Sequence, residues 1–453
     1  MAVSKEIKRL ERSNVSLSVT VPKEDVRAQY NDMMKEYTKS IQLPGFRKGK
    51  VPQEVLERKF GDALKGDALG RIIEASLKEV LGGEGEEEKL PRHERPLPYS
   101  TPKLEDEDIK LDLDQDLRFS VVYDVLPEVK IGQWKGLKVE YPYAEVENED
   151  LDRELDEIRE RNSVVMDKDD EQAAAKGDVI TIDYQIMDED GVTPLQISRK
   201  DMAFTLDGKN VFKFDDDVIG MKKGGTKEFE KKFDDDFFDP MLTGQTRKVK
   251  ITLLSLKEKQ LPELNDDLAQ DVDEKFNTLD DLKNSIKERL NKNLQARLKD
   301  RKLSELLAKI MENTPVIIPE SMIQTEIDGR LRRIARYYNI DANVISQMMG
   351  MEKIEEMRGD AQKALHSRLI IETLMEEQNI EVSEEEIEKE FQSVASENNV
   401  EVDEVKKHYE SEQSMLYFIE DIKEKKMIDV MLAENSLNQG KKENYLAFMA
   451  DNG

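Results

Sequence analysis

The 453-residue sequence predicts a multidomain α+β fold: a mixed α/β unit first, an antiparallel β unit in the middle and an all-α region last. Hydrophobic periodicity changes twice, from a strand–helix–helix–strand order to strict alternation near residue 177, then to helical spacing after Leu261-Pro262. The length corresponds to two to four domains at roughly 100–200 residues each. A charged fraction of 37%, against roughly 25% in an average globular protein, calls for long solvated helices or much surface.

The elements follow in order. Val15, Leu17, Val19 and Val21 alternate with polar residues, so 13–22 is a half-buried strand ended by Pro22. Residues 23–40 and 53–81 read as helices around the turn-rich LPGFRKGKVP. Residues 82–102 are loop by composition, 115–125 a strand, 126–146 an extended connector holding the single Trp134, and 147–162 a charged helix. Ile180, Ile182, Tyr184 and Ile186 share one strand face, as do Val249, Ile251 and Leu253; MAFTLDG and TKEFEKKF between them are strand-compatible. The rest reads as helical to the end of the chain. Thr278 to Asp281 resembles a capping box, and Leu282, Ile286, Leu290, Leu294 and Leu298 recur every fourth residue. A break at 314–322 precedes a helix carrying Met322, Ile323, Ile327, Leu331 and Ile334, a third helix runs roughly 352–378, Ser383 and Glu386 form a second capping box, and a last long helix covers about 403–435.

Composition removes several classes of function. There is no cysteine, so disulfides, thiol catalysis and thiolate zinc sites are out. No apolar run approaches 18 residues and the N-terminus lacks a secretory apolar core, so the expectation is a cytoplasmic protein with no membrane contact. No GxxxxGK[ST], GxSxG or HExxH occurs, and His93, His366 and His408 are far apart, so neither cofactor nor metal is expected. The net charge is −29, yet residues 1–60 hold 13 Lys/Arg against 8 Asp/Glu, a local +5. A basic head on an acidic body disfavours DNA as a partner and leaves the head as the place for anionic contact. Nineteen methionines, with Met348, Met349, Met351 and Met357 clustered, suit either core gap-filling or a surface that takes varied apolar partners.

Gly45-Phe46-Arg47-Lys48-Gly49-Lys50-Val51-Pro52 resembles the signature loop of bacterial trigger factor, the ribosome-associated chaperone. Leu126 to Val129 with Gly136 to Val139 resembles that family's linker, Gly177-Asp178 with Thr181 to Tyr184 the start of its FKBP-like peptidyl-prolyl isomerase domain, and Leu261 to Leu264 the return into its helical domain. The resemblance implies a ribosome-binding domain at 1–125, a linker at 126–148, an FKBP-like domain at 149–258 and a helical, client-binding domain with long arms at 259–453. It implies docking near the nascent-chain exit of the large ribosomal subunit, with Pro44, Gly45 and Gly49 shaping the loop and Phe46, Arg47, Lys48 and Lys50 making contact. Unfolded nascent chains would be held without ATP, and a homodimer would form off the ribosome. The alternative is a mainly free cytosolic prolyl isomerase.

For isomerisation the resemblance implies a pocket of Tyr184, Val211, Phe212, Phe214, Phe237 and Val249, which would desolvate the imide and favour its twisted form. The family's glycines are replaced by Lys213 and Asp217, its rim tyrosine by Phe237, and 192–202 lacks aromatics. Losing glycine where φ must be positive predicts a reshaped loop and weak or absent activity.

Overall fold

The computed structural model describes residues 3–11, 13–44, 46, 49–82, 90–106, 108–188, 190–235 and 237–450. The chain divides into two compact units, Met1–Tyr141 with Asp300–Gly440, and Pro142–Lys299 with Lys441–Gly453.

The first unit begins with β1 (Ser4–Arg9), β2 (Asn14–Val21), α1 (Lys23–Ser40), α2 (Gln53–Leu81), β3 (Lys103–Leu104) and β4 (Leu117–Asp124), and its antiparallel sheet has the order β1-β2-β4-β3. Leu17 sits opposite Ile7 on one side and Val121 on the other. The alternation read from β2 buries Val15, Leu17, Val19 and Val21 against Val26, Tyr30 and Met34 of α1 and Leu56, Leu64 and Ile72 of α2. Strand β1 was not legible in advance, because SKEIKR has one apolar residue and lies on the solvent edge.

The stretch expected to be a bare connector contains β5 (Lys138–Tyr143), and Trp134, Leu137 and Val139 within it are buried. Next come α3 (Asn148–Arg161), β6 (Val164–Asp167), β7 (Val179–Ile186), β8 (Arg199–Thr205), the single turn α4 (Asp215–Val218), β9 (Thr226–Lys232) and β10 (Thr246–Gln260). These strands make an antiparallel sheet of order β6-β10-β7-β8, with β9 also paired to β10. The 15-residue β10 serves three neighbours, with an irregularity between Leu253 and Ser255. Its inward residues Val249, Ile251 and Leu253 meet Ile180, Ile182, Tyr184 and Ile186 in one core.

The helical part comprises α5 (Asp266–Val272), α6 (Leu279–Asn313), α7 (Glu320–Tyr338), α8 (Ala342–Glu377), α9 (Glu384–Asn398), α10 (Val402–His408) and α11 (Glu412–Ala433). The stripe on the first part of α6 buries Leu282, Ile286, Leu290 and Leu294 with Leu155 and Ala269, and Leu298 packs partly on them. Further along, Leu306, Leu307 and Ile310 close on Ile370, Leu374, Met427 and Met431. The capping box of Ser383 and Glu386 is present at α9, with Ser383 N–H donating to Glu386 Oε2 at 2.8 Å.

Three expectations are corrected. The last long helix is two, α10 and α11, broken at the capping Ser411, whose Oγ accepts from Ser414 N–H. The chain does not end in helix alone: β11 (Ser436–Lys442) pairs with β5 before α12 (Tyr445–Ala450). The third helix stands where expected, over 351–377, but a short helical segment at 342–349 that was not expected precedes it, and Gly350 (φ 73°, ψ 170°), in a backbone region open essentially only to glycine, separates the two.

Candidate functional site

The connection between α1 and α2 is a loop held at both ends and open in the middle. Leu43 and Val51 are buried in the core under the sheet, while Phe46 between them is 37% exposed. Phe46 N–H donates to Leu43 O at 3.0 Å, closing a turn, and Gly49 has φ 79°, where a Cβ would be strained. The base is braced by Arg71 Nη1 donating to Glu36 at 2.8 Å and by the Tyr37 hydroxyl donating to Asp67, a bond that raises the tyrosine's pKa. Pro44 and Lys50 are exposed beside Phe46; Gly45, Arg47 and Lys48, also expected to form the site, lie outside the described residues.

The β sheet of the second unit carries an aromatic cluster. Tyr184 and Phe214 are fully buried and Phe212 nearly so. Phe212 stacks on Phe214 with centroids 5.3 Å apart and 7° between planes, and lies 5.0 Å from Tyr184, 5.7 Å from Phe237 and 5.8 Å from Phe238. Four rings therefore surround Phe212, which occupies the middle of the cluster. The Tyr184 hydroxyl donates to Ile197 O at 2.9 Å, and burial raises its pKa. Ile197 and Leu195 pack on this core, so aliphatic side chains of 192–202 stand where aromatics were missing. Val249 belongs to the same core; Val211, 61% exposed, does not join it. Phe233 and Phe238 complete the cluster and were missed; their signal was the phenylalanine spacing in FDDDFFDP.

The expected reshaping around Lys213 is corrected by the backbone. Lys213 keeps a left-handed φ of 51°, so the turn persists with lysine in glycine's place. Lys213 Nζ donates to Asp234, and Lys231 Nζ donates to Lys213 O at 2.7 Å and to Asp217 at 2.6 Å. These polar ties hold a conformation that costs an L-residue about 1–2 kcal/mol. Asp217 lies in α4 and needs no glycine.

The third feature is the turn joining α7 to α8. Asn339 caps α7 in the left-handed conformation, and Asp341 Oδ1 accepts from Asn343 N–H at 2.8 Å to start α8. Leu331, Ala335 and Ile345 face inward. Outward stand Tyr337 (84% exposed), Tyr338, Val344, Met348 and Met351 (91% exposed). Two of the three histidines hold backbone: His93 Nδ1 lies 3.1 Å from Leu126 O and His366 Nε2 lies 2.7 Å from Thr314 O. Among the described residues no cluster of His, Asp or Glu could hold a metal, and no helix is long and apolar enough to cross a membrane.

An exposed aromatic on a braced loop, a ring-lined β cluster and an open aromatic–methionine surface are features of a protein that handles polypeptides. The model of the family described as bacterial trigger factor protein matches residues 2–158, and that of the bacterial trigger factor C-terminus matches 278–433. Trigger factor of Treponema denticola is 38% identical over 458 residues, covering all of both chains. That of Treponema pallidum (strain Nichols) is 33% identical across all of this chain and 99% of its own. A solved structure described as "Promiscuous Substrate Recognition in Folding and Assembly Activities of the Trigger Factor Chaperone" covers 95% of this chain and 99% of that one, at 24% identity and a TM-score of 0.46. The chain belongs to the bacterial trigger factor family, and with it to the ribosome-associated folding chaperones.

Proposed function

We propose that this chaperone docks beside the nascent-chain exit of the large ribosomal subunit through the loop at Pro44, Gly45, Phe46, Arg47, Lys48, Gly49 and Lys50, and shields apolar segments of emerging chains without ATP. The observation that carries this is Phe46, an apolar ring about a third exposed while the loop's ends, Leu43 and Val51, are buried. An aromatic beside arginine is a frequent interface anchor, and Lys/Arg pair with RNA phosphate or acidic side chains. In this reading 1–125 binds the ribosome, 126–148 links, 149–258 is the isomerase unit and 259–453 holds clients. The exposed Tyr337, Tyr338, Met348 and Met351 support client contact, because flexible thioethers and aromatic rings adapt to unrelated apolar partners. Off the ribosome the chain forms a homodimer, and its place of action is the cytoplasm.

Co-sedimentation with 70S ribosomes at low and high salt tests the docking. Wild type pellets with ribosomes in a salt-sensitive way and a Phe46→Ala, Arg47→Ala, Lys48→Ala variant stays in the supernatant; equal pelleting of both would refute it.

The isomerase unit acts on X–Pro bonds only weakly. The barrier is about 18–20 kcal/mol, and lowering it needs an apolar space for the proline ring, where Phe212 now sits with its four aromatic neighbours. Phe212→Ala opens that space, so the rate on a proline tetrapeptide rises above wild type; a fall would mean that Phe212 itself binds substrate.

A further inference from the structure

In a chain with no cysteine, its 19 methionines carry all the sulfur. Their surroundings differ widely. Met33, Met34, Met427 and Met431 are buried in cores, whereas Met166, Met241, Met348 and Met351 are exposed, the last two most of all. Four methionines fall within residues 348–357. Met348 and Met351 stand on either side of Gly350, where one helical segment ends and the next begins. Met349 and Met357 are half-buried against the core of Leu331, Ile345 and Leu365, and with Ile334 they line an open cleft of about 490 Å³. The cleft is many times larger than a water molecule, so a small reagent reaches this inner pair as well. Leucine would supply similar apolar area at an equal helix propensity. What methionine adds at these positions is flexibility and a thioether that can be oxidised.

We propose that the methionines around Gly350 form a reversible oxidation site through which peroxide lowers the chaperone's hold on its clients. The proposal rests on the client-binding reading above and adds the regulation of that surface. In the step, the thioether sulfur attacks one oxygen of a hydroperoxide. The O–O bond breaks and an S–O bond forms, while the proton of the attacked oxygen passes to the other, which leaves as water or an alcohol. Sulfur gives up two electrons and the peroxide takes them. No thiol in the chain competes for the oxidant. Access sets the order: Met348 and Met351 react first, Met349 and Met357 follow through the cleft, and the buried Met427 and Met431 stay reduced while the fold holds. Each sulfoxide puts a polar, chiral group where an apolar, flexible one stood. The surface offered to apolar segments therefore shrinks, with no change in net charge. Met166 and Met241 of the β unit are exposed too and oxidise alongside, but they lie outside the helical region, so they serve as the control.

The test treats the full chain with hydrogen peroxide, removes the excess with catalase, and maps sulfoxides by mass spectrometry of its peptides. Light scattering of an unfolded test protein then reads suppression of aggregation before and after, with far-UV circular dichroism as the check on the fold. Suppression by wild type falls at least twofold once Met348 and Met351 carry sulfoxide, with the helical signal kept. The two epimer-specific methionine sulfoxide reductases, supplied with a dithiol, restore it. Each variant is compared with its own untreated sample. M348L/M351L loses most of the peroxide effect, and M166L/M241L shows the same fall as wild type. Unchanged suppression by wild type with sulfoxide mapped at both positions overturns the proposal, as does an undiminished fall in M348L/M351L. A fall that the reductases do not reverse, or one that comes with loss of helical signal, is damage and overturns it too. In each of these cases suppression by the untreated chain leaves the client-binding reading standing. Failure of the untreated wild type to suppress aggregation overturns that reading instead.

Discussion

Aromatic residues meet opposite fates in two parts of this molecule. In the β unit, Tyr184, Phe212 and Phe214 are buried, their rings 5.0–5.3 Å apart and the tyrosine hydroxyl paired. At the α7–α8 end, Tyr337 and Tyr338 touch each other edge to face at 5.0 Å and otherwise face water. The difference follows from the neighbours. The β sheet supplies a face of Ile, Val and Leu that rewards each buried ring, whereas a two-helix turn has too few residues to cover both sides of itself. What the first region gains in stability the second keeps as unsatisfied apolar surface, and a chaperone needs the second kind.

Stability measurements separate the two regions most strongly. Phe214→Ala removes a fully buried ring, and a loss of about 3–5 kcal/mol is expected in the β unit, read by hydrogen exchange of β7 and β10 under rising urea. Tyr337→Ala changes stability by no more than about 0.5 kcal/mol. Comparable losses for the two would contradict the contrast in burial.

Gly350 comes next. Its φ of 73° with ψ of 170° meets no steric obstacle but excludes other residues by backbone strain, so Gly350→Ala costs about 1–3 kcal/mol locally. Faster hydrogen exchange in 342–349 is the expected sign, and unchanged exchange would show that the bend is not fixed by this residue. Smaller still is Lys213→Gly. Relief of the left-handed strain, about 1–2 kcal/mol, is partly offset by the exposed Lys213–Asp234 pair, worth about 0–1 kcal/mol. A modest rise in the unfolding midpoint of the β unit follows, and a fall would show that the ion pair dominates.

The smallest effect is one of pH. Glu386 is held at about 2, first by Lys426 and then by the Ser383 backbone, against an ordinary value of 4.5. A depressed carboxylate contributes stability that is complete above its unfolded value and is lost as pH falls from about 4.5 toward 2. Glu386→Gln therefore flattens the acid limb of α9 unfolding over that window, and an unaltered limb would remove Glu386 from the account.

Much of this was legible in the chain. The alternation in β2 and the every-fourth-residue stripe of α6 each name a buried face, because burial repeats with the period of the element. The exposed and the irregular were not. Strand β1 has almost no apolar residue to betray it, and β11 is SLNQGKK, whose strand form depends on β5 nearly 300 residues earlier. The Phe46 loop stood out by its motif, and Tyr184, Phe212, Phe214 and Phe237 do come together, yet Val211 turns outward, since neighbouring residues in a tight turn point apart.

The central claim is that client holding resides on the open helical surface and not in the ring-filled β cluster. The direct measurement is light scattering of an unfolded, proline-free protein diluted without ATP in the presence of two variants. The account predicts that Tyr337→Ala/Tyr338→Ala/Met348→Ala/Met351→Ala loses most of the suppression while Phe212→Ala keeps it. Loss with Phe212→Ala and full suppression by the fourfold variant would contradict it.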